Sequence, residues 1–145
     1  MEHYLEATPE AGKRFYMDFV NQGKIVMMNL LRFKEKADYS NYEQLKPDHA
    51  ITGKEAYDLY LEHTLPILDQ VGSSVYFLGE CKHFLIGPDL EKWDAVLLVE
   101  HASAEKFIAF SQNEDYLKTS GHRAAALEDS RLLPIKELGQ QFQGN

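Results

Sequence analysis

The sequence predicts an α+β protein of the ferredoxin-like kind: βαββαβ with a four-stranded antiparallel sheet, and an extra helix ahead of the first strand. Three observations carry this. Apolar alternating runs and amphipathic stretches follow one another in the order β, α, β, β, α, β from Lys24 to Ile135. Each helical stretch has its own start and stop residues. A chain of 145 residues with 44% hydrophobic and 26% charged residues matches one globular domain with one core. The whole chain, 1–145, is therefore read as one domain, with a helical extension over 1–23 and the ferredoxin-like core over 24–137.

The elements follow in order. "ATPEAGKRFYMDFVNQGK" is a helix with Thr8 as N-cap, Pro9 at its first position and Gly23 as its stop; Phe15 and Phe19 form a narrow apolar stripe. "KIVMMNLLRF" is a strand. The polar, turn-rich segment from Phe33 to Thr52 shows no period and is a long loop, of the kind that serves as a lid or binding segment. The next helix opens on a Thr52–Glu55 capping box and stops at Gly72. Its inner face is Ala56, Leu59, Tyr60, His63, Ile67, Leu68 and Val71, and Pro66 is expected to bend or break it. "SSVYFLGECKHFLIG" and "WDAVLLVEH" are strands joined by the turn "GPDLEK". The stretch from Ser103 to Asp129 is helical with a break near Ser111 to Asn113, where Asn113 caps the second part, and "SRLLPI" closes the sheet.

Alternation also describes the faces. In the first strand Ile25, Met27, Asn29 and Leu31 share one side and Val26, Met28 and Leu30 the other; in "WDAVLLVEH" Ala95, Leu97 and Val99 oppose Val96 and Leu98. Two helices cover one face of such a sheet, and the second face should then be polar. Here it is apolar, so a second copy stacked sheet to sheet is expected, a homodimer. The alternative cover is the N-terminal helix with the long loop.

Composition narrows the partners. A net charge of −8 repels phosphate backbones and anionic lipid, so neither nucleic acid nor membrane is expected. The single cysteine, Cys81, precludes an internal disulfide and paired-cysteine zinc spacings, and with no apolar leader or spanning run a cytoplasmic protein is expected.

The stretch "WDAVLLVEHASAEKFIAFSQNEDYLKTSGHRAAALEDSRLL" resembles the C-terminal half of the DUF1330 family, with its "HRxAALxDSRLL" ending, and "HTLPILDQVGSSVYFLG" resembles that family's "LPxLxxxGGxxLxxG". The resemblance covers about Lys24 to Ile135. It implies a dimeric α+β barrel, a superfamily that also holds small monooxygenases, muconolactone isomerases and chlorite dismutase-like proteins. That family is uncharacterised, so the resemblance implies no catalytic residues. The N-terminal helix and the Phe33–Thr52 loop depart from its shorter members.

In this topology one end of the sheet should gather Asn29, Arg32, Tyr57, Tyr60, His63, Trp93, His122 and Arg123, an aromatic-lined set of donors and titratable groups suited to a small ligand. His122 and His63 are the candidate acid/base residues. Asn29, Arg32, Tyr57, Tyr60, Trp93 and Arg123 are the candidate substrate contacts, with Arg123 alternatively paired to Glu128 or Asp129. Gly121, costly in a helix, suggests that something approaches closely there. Cys81 and His83 lack further ligands, Ser120, His122 and Asp129 lack triad geometry, and no phosphate loop is present; no metal or cofactor is expected. Two functions remain. One is a small-molecule-binding protein with its ligand in a sheet–helix pocket, extending to a cofactor-independent isomerase or monooxygenase; the other is a non-catalytic homodimeric binding or assembly module.

Overall fold

The computed structural model describes residues 2–139. In order it contains α1 (Pro9–Phe19), β1 (Ile25–Phe33), a 3-10 turn (Glu43–Leu45), α2 (Gly53–Gln70), β2 (Ser74–Glu80), β3 (Ala95–His101), α3 (Ala104–Ser111), α4 (Glu114–Thr119), α5 (Gly121–Ala126) and β4 (Leu127–Ile135). All neighbouring strands are antiparallel in the order β2-β3-β1-β4, the ferredoxin-like topology.

The helix starts sit where their side chains can satisfy free backbone N–H groups. Thr8 accepts from Ala11, Ser103 from Lys106 and Asn113 from Tyr116, and Thr52 and Glu55 form the reciprocal capping box. Three local expectations are corrected. α2 continues without a break through Pro66, whose exposed ring lies only one turn before the helix end. The buried Ile67 and Leu68 that follow contribute about 1.5–3 kcal/mol each, enough to hold the last turn against a proline cost of about 3 kcal/mol. The strand expected to reach Gly87 stops at Glu80, and residues 81–94 are irregular. The helix expected to run to Asp129 stops at Ala126, because Leu127 to Ser130 pair with β1 from Phe33 back to Leu31 across a bulge.

The sheet divides into two unlike faces. On one, Ile25, Met27, Leu31, Ala95, Leu97 and Val99 are buried. Leu31, Ala95, Leu97 and Val99 pack beneath Ala56, Tyr57, Tyr60, Ile67 and Leu68 of α2 and Ala125 and Ala126 of α5, whereas Ile25 and Met27 pack with Ala104 of α3. The buried stripe of α2 thus includes Tyr57 and Thr64, while His63, expected on it, is exposed. On the other face, register places Met28 between Leu98 and Leu133, and Leu30 beside Val96, with Val26, Phe77 and Ile135 around them. α1 does not cover that face: Phe15 and Phe19 pack on Ile25, Met27, Ala104 and Phe107, on the helix side. The 34–52 segment does not cover it either. It is laid along α5 and the start of α2 by Lys34 N–H to Ala126 O (2.8 Å), Asp38 N–H to Ala125 O (2.9 Å) and Gly53 N–H to Lys34 O (3.0 Å). A Cβ on Gly53 would fall on the Lys34 and Ala126 carbonyls, which is why this crossing takes glycine.

Candidate functional site

The expected cluster separates into three neighbourhoods. In the first, α5 buries His122, and Tyr39 from the 34–52 segment brings its hydroxyl to 2.7 Å from Nδ1. The exposed His63 of α2 stacks parallel on the same ring, centroids 5.4 Å apart. Burial, and then the neighbouring His63, lower the His122 pKa from its ordinary value, so the ring is neutral at pH 7. Gly121 is explained here as well. A Cβ on it would stand 2.6 Å from Tyr42 Cδ1 and 2.8 Å from Leu45 Cδ1, so the close approach is made by the chain's own loop.

The second neighbourhood is a cleft of about 760 Å³ between the first half of α2, the ends of β2 and β3, and the 81–94 segment. Phe33, Tyr57, Leu61, Leu78, Trp93 and Ala95 supply its apolar walls, and Lys54, Asp58, Lys82, His83, Lys92 and Asp94 its charged and polar rim. Trp93 is 5% exposed and donates from Nε1 to Glu91 at 2.9 Å. Tyr57 is 2% exposed, its ring 5.5 Å from that of Phe33 and 5.1 Å from that of Tyr60. Burial pushes its hydroxyl pKa well up, with Arg123 acting against it, and the hydroxyl makes no hydrogen bond among the described residues. Lys54 is paired with Asp58 at 3.3 Å and Lys82 with Glu80 at 3.6 Å, whereas Lys92 has no partner among the described residues. Cys81 also lines the cleft; burial, followed by Asp94, raises its thiol pKa, so it is protonated at neutral pH and a weak nucleophile.

The third neighbourhood is a more polar cleft of about 780 Å³ against the N-terminal residues 3–6. Arg123 lines it and spends its hydrogen bonds on the Leu5 carbonyl (2.8 Å) and Ser130 Oγ (3.4 Å), pairing with neither Glu128 nor Asp129. Tyr60 is buried behind it with its hydroxyl 2.8 Å from that of Tyr116. Arg32 meets His3 at 3.4 Å on the surface. Asn29 serves no cleft: its amide donates to the Leu97 carbonyl at 3.1 Å, satisfying itself within the sheet. Of the eight candidates, then, Tyr57 and Trp93 share one cleft, His122 and His63 stack with each other, and neither histidine lines either cleft.

Sequence reasoning missed several polar residues. Tyr39 lies in a segment without period, so nothing local marks it as the partner of His122. Lys92 was read only as part of a turn. Asp129, expected only as a possible partner of Arg123, is 1% exposed and accepts instead from Tyr4 N–H, Ser130 N–H and Arg131. Burial works to raise its pKa, and those three donors outweigh it and hold the carboxyl below its ordinary value. His101, 1% exposed, sits 2.7 Å from Ser73 Oγ between the rings of Phe107 and Phe110. The one available signal was a histidine on the inward side of an apolar strand.

Among the described residues no three His, Cys, Asp or Glu side chains converge as a metal-binding group, and no helix is long and apolar enough to cross a membrane.

The chain is similar to the RPA0582 protein of Rhodopseudomonas palustris, a protein of unknown function. The two share 32% identity over 96% of this chain and 100% of that one, with a TM-score of 0.83. The methylated RPA0582 protein gives 32% identity over 97% and 99% of the two chains and a TM-score of 0.84. An uncharacterised NIPSNAP domain protein from Burkholderia xenovorans shares the fold at 11% identity, over 83% of this chain and 99% of that one, with a TM-score of 0.51. No family model and no curated protein matches the chain.

Proposed function

We propose that this chain, which belongs to the same family as the RPA0582 protein of Rhodopseudomonas palustris, binds a small organic molecule in the cleft walled by Trp93 and Tyr57. The observation that carries the reading is the pairing of two nearly buried aromatic rings with two uncommitted polar groups, the Tyr57 hydroxyl and the Lys92 ammonium. Apolar walls with a few placed polar groups are the ordinary composition of a ligand pocket. Trp93 is the only tryptophan, so its emission reports on the cleft directly. A thermal-shift screen of small carboxylates, quinones and haem should find a ligand that raises the midpoint and changes Trp93 emission; at 100 times its Kd it adds about 2.7 kcal/mol. Tyr57→Phe and Lys92→Ala should weaken it. A ligand that stabilises the protein without touching Trp93 emission, or binds both variants as well as the parent, places the site elsewhere.

The same proposal has the protein acting as a homodimer joined through the open sheet face, the dimeric α+β barrel that the resemblance to the DUF1330 family implies. What supports it is the covering of Met28, Leu30, Val96 and Leu98 by no element of the described chain, with Phe77 and Leu133 each 53% exposed beside them. Sedimentation at micromolar concentration should give twice the monomer mass, and Leu98→Asp should dissociate or unfold it; a folded monomer overturns this part. The net charge of −8 supports neither nucleic acid nor anionic lipid as partner, and the lone Cys81 supports a reducing, cytoplasmic location.

A second reading makes His122 and His63 acid/base residues of a cofactor-independent enzyme. It is favoured by the stacked pair and by the neutral His122 ring that burial maintains, a form able to accept a proton. A turnover assay on any ligand found separates the two: loss of turnover with unchanged binding in His122→Ala supports catalysis, and a non-catalytic binding module shows no turnover in the parent.

A further inference from the structure

Three polar residues of "HRAAALEDSR", Arg123, Asp129 and Ser130, turn towards Tyr4 and Leu5. Tyr4 N–H donates to Asp129 Oδ1 at 2.8 Å, Ser130 Oγ donates to the Tyr4 carbonyl at 2.5 Å, and Arg123 donates to the Leu5 carbonyl at 2.8 Å. These contacts hold main chain and would accept any extended segment. One contact depends on sequence. The Arg131 guanidinium, held at 2.7 Å by Asp129, lies 4.8 Å from the centroid of the Tyr4 ring and 5.0 Å from that of Trp93, so the three stack in the order Tyr4, Arg131, Trp93.

We infer that residues 3–5 are a latch: when docked on the start of β4 they fix Arg131 against Trp93, and through Arg131 they set one wall of the Trp93 cleft. Arg131 is the positioning residue, since its guanidinium is gripped on one side by Asp129 and faced by both rings. Tyr4, 51% exposed, lies over one face of it, and the Arg131 side chain stays 38% exposed. With the arm undocked, Asp129 loses the Tyr4 N–H, Arg131 loses one of its two rings, and Trp93 loses the rigid neighbour that shields it. The arm therefore couples the N-terminus to the cleft without itself lining that cleft.

The test needs no ligand, so it stands or falls separately from the ligand-binding proposal. In the full chain, acrylamide quenching of Trp93 is measured for the parent, Tyr4→Ala, Tyr4→Phe and Ser130→Ala, each first shown to keep the parent's circular dichroism. Loss of a cation–π contact of this kind should raise the quenching constant of Tyr4→Ala about twofold or more, while Tyr4→Phe, which keeps the ring, matches the parent. Ser130→Ala keeps every ring and removes the partner of the Tyr4 carbonyl together with the 3.4 Å acceptor of Arg123; it should shift quenching in the same direction by less. Unchanged quenching in both Tyr4→Ala and Ser130→Ala overturns the latch, as does Tyr4→Phe behaving like Tyr4→Ala.

Discussion

Two buried histidines at opposite ends of β1 make the same bond in different company. His101, opposite Ile25, lies 2.7 Å by Nδ1 from the Ser73 hydroxyl; His122, on the helix that bonds to Lys34, lies 2.7 Å by Nδ1 from the Tyr39 hydroxyl. Ser73 stands between α2 and β2, and the rings of Phe107 and Phe110 close the pocket around His101, whose pKa burial lowers to about 4. Tyr39 belongs to an irregular segment, and the other ring on His122 is the exposed His63. The same pair of groups is a core fixture in one place and the tether of a loop in the other. What separates them is whether both partners come from chain that is already fixed.

The sharpest way to break that comparison is acid. The folded His101 pKa of about 4 lies below an unfolded value of about 6.5, so the unfolded chain binds the proton first and stability rises with pH between them. The contribution is complete above about pH 6.5 and is lost as pH falls to about 4, in total about 3 kcal/mol. Urea unfolding across that range should show it, and His101→Gln should flatten the profile; an equally steep profile in the variant would mean other groups cause it. His122 contributes with the same sign, since burial lowers its pKa too.

Next in size is the loop that Tyr39 tethers. Gly121→Ala drives a methyl into Tyr42 and Leu45 and should cost about 1–3 kcal/mol by overpacking. Gly12→Ala, in α1 with nothing within 4 Å, should instead stabilise by about 0.5–1 kcal/mol. Thermal midpoints moving the same way in both variants would remove the distinction between a glycine kept for close approach and one kept for none.

The smallest effect sharpens the contrast most. Tyr39→Phe and Ser73→Ala each delete one buried hydrogen bond, worth about 1 kcal/mol. Tyr39→Phe should speed amide exchange across residues 37–45 beyond any global change, because Tyr39 supplies the side-chain hydrogen bond that, beside the Asp38 N–H to Ala125 O bond, joins that segment to α5. Ser73→Ala should lower global stability alone. Equal exchange in the 37–45 amides of both variants would show that the main-chain bonds of Asp38 and Ala37 hold the loop without Tyr39.

Much of the architecture was legible because it is local. The caps at Thr8, Thr52 and Asn113 act on amides three residues away, and the alternation in β1 and β3 exposes both faces of the sheet to inspection. Local signals failed where tertiary contacts outweighed them: at Pro66, where two buried side chains outlast a lost hydrogen bond, and at Leu127–Asp129, where residues read as helical are drawn into a ladder with β1. The candidate site was legible in its residue types and not in its grouping. Tyr57 and Trp93 do share a cleft, but the inward placement of His63 failed, because helical phase alone cannot distinguish a buried stripe from its margin.

By itself, the sequence determined the succession of strands and helices and the double apolarity of the sheet, which follow from periods of two and 3.6 residues that need no distant partner. Only the tertiary structure decided what His122, Arg123 and Gly121 meet. Tyr39 reaches His122 across 83 positions and Leu5 reaches Arg123 across 118. Bonds of that span are selected by how the packed helices and strands bring loops together, and no short-range pattern encodes them.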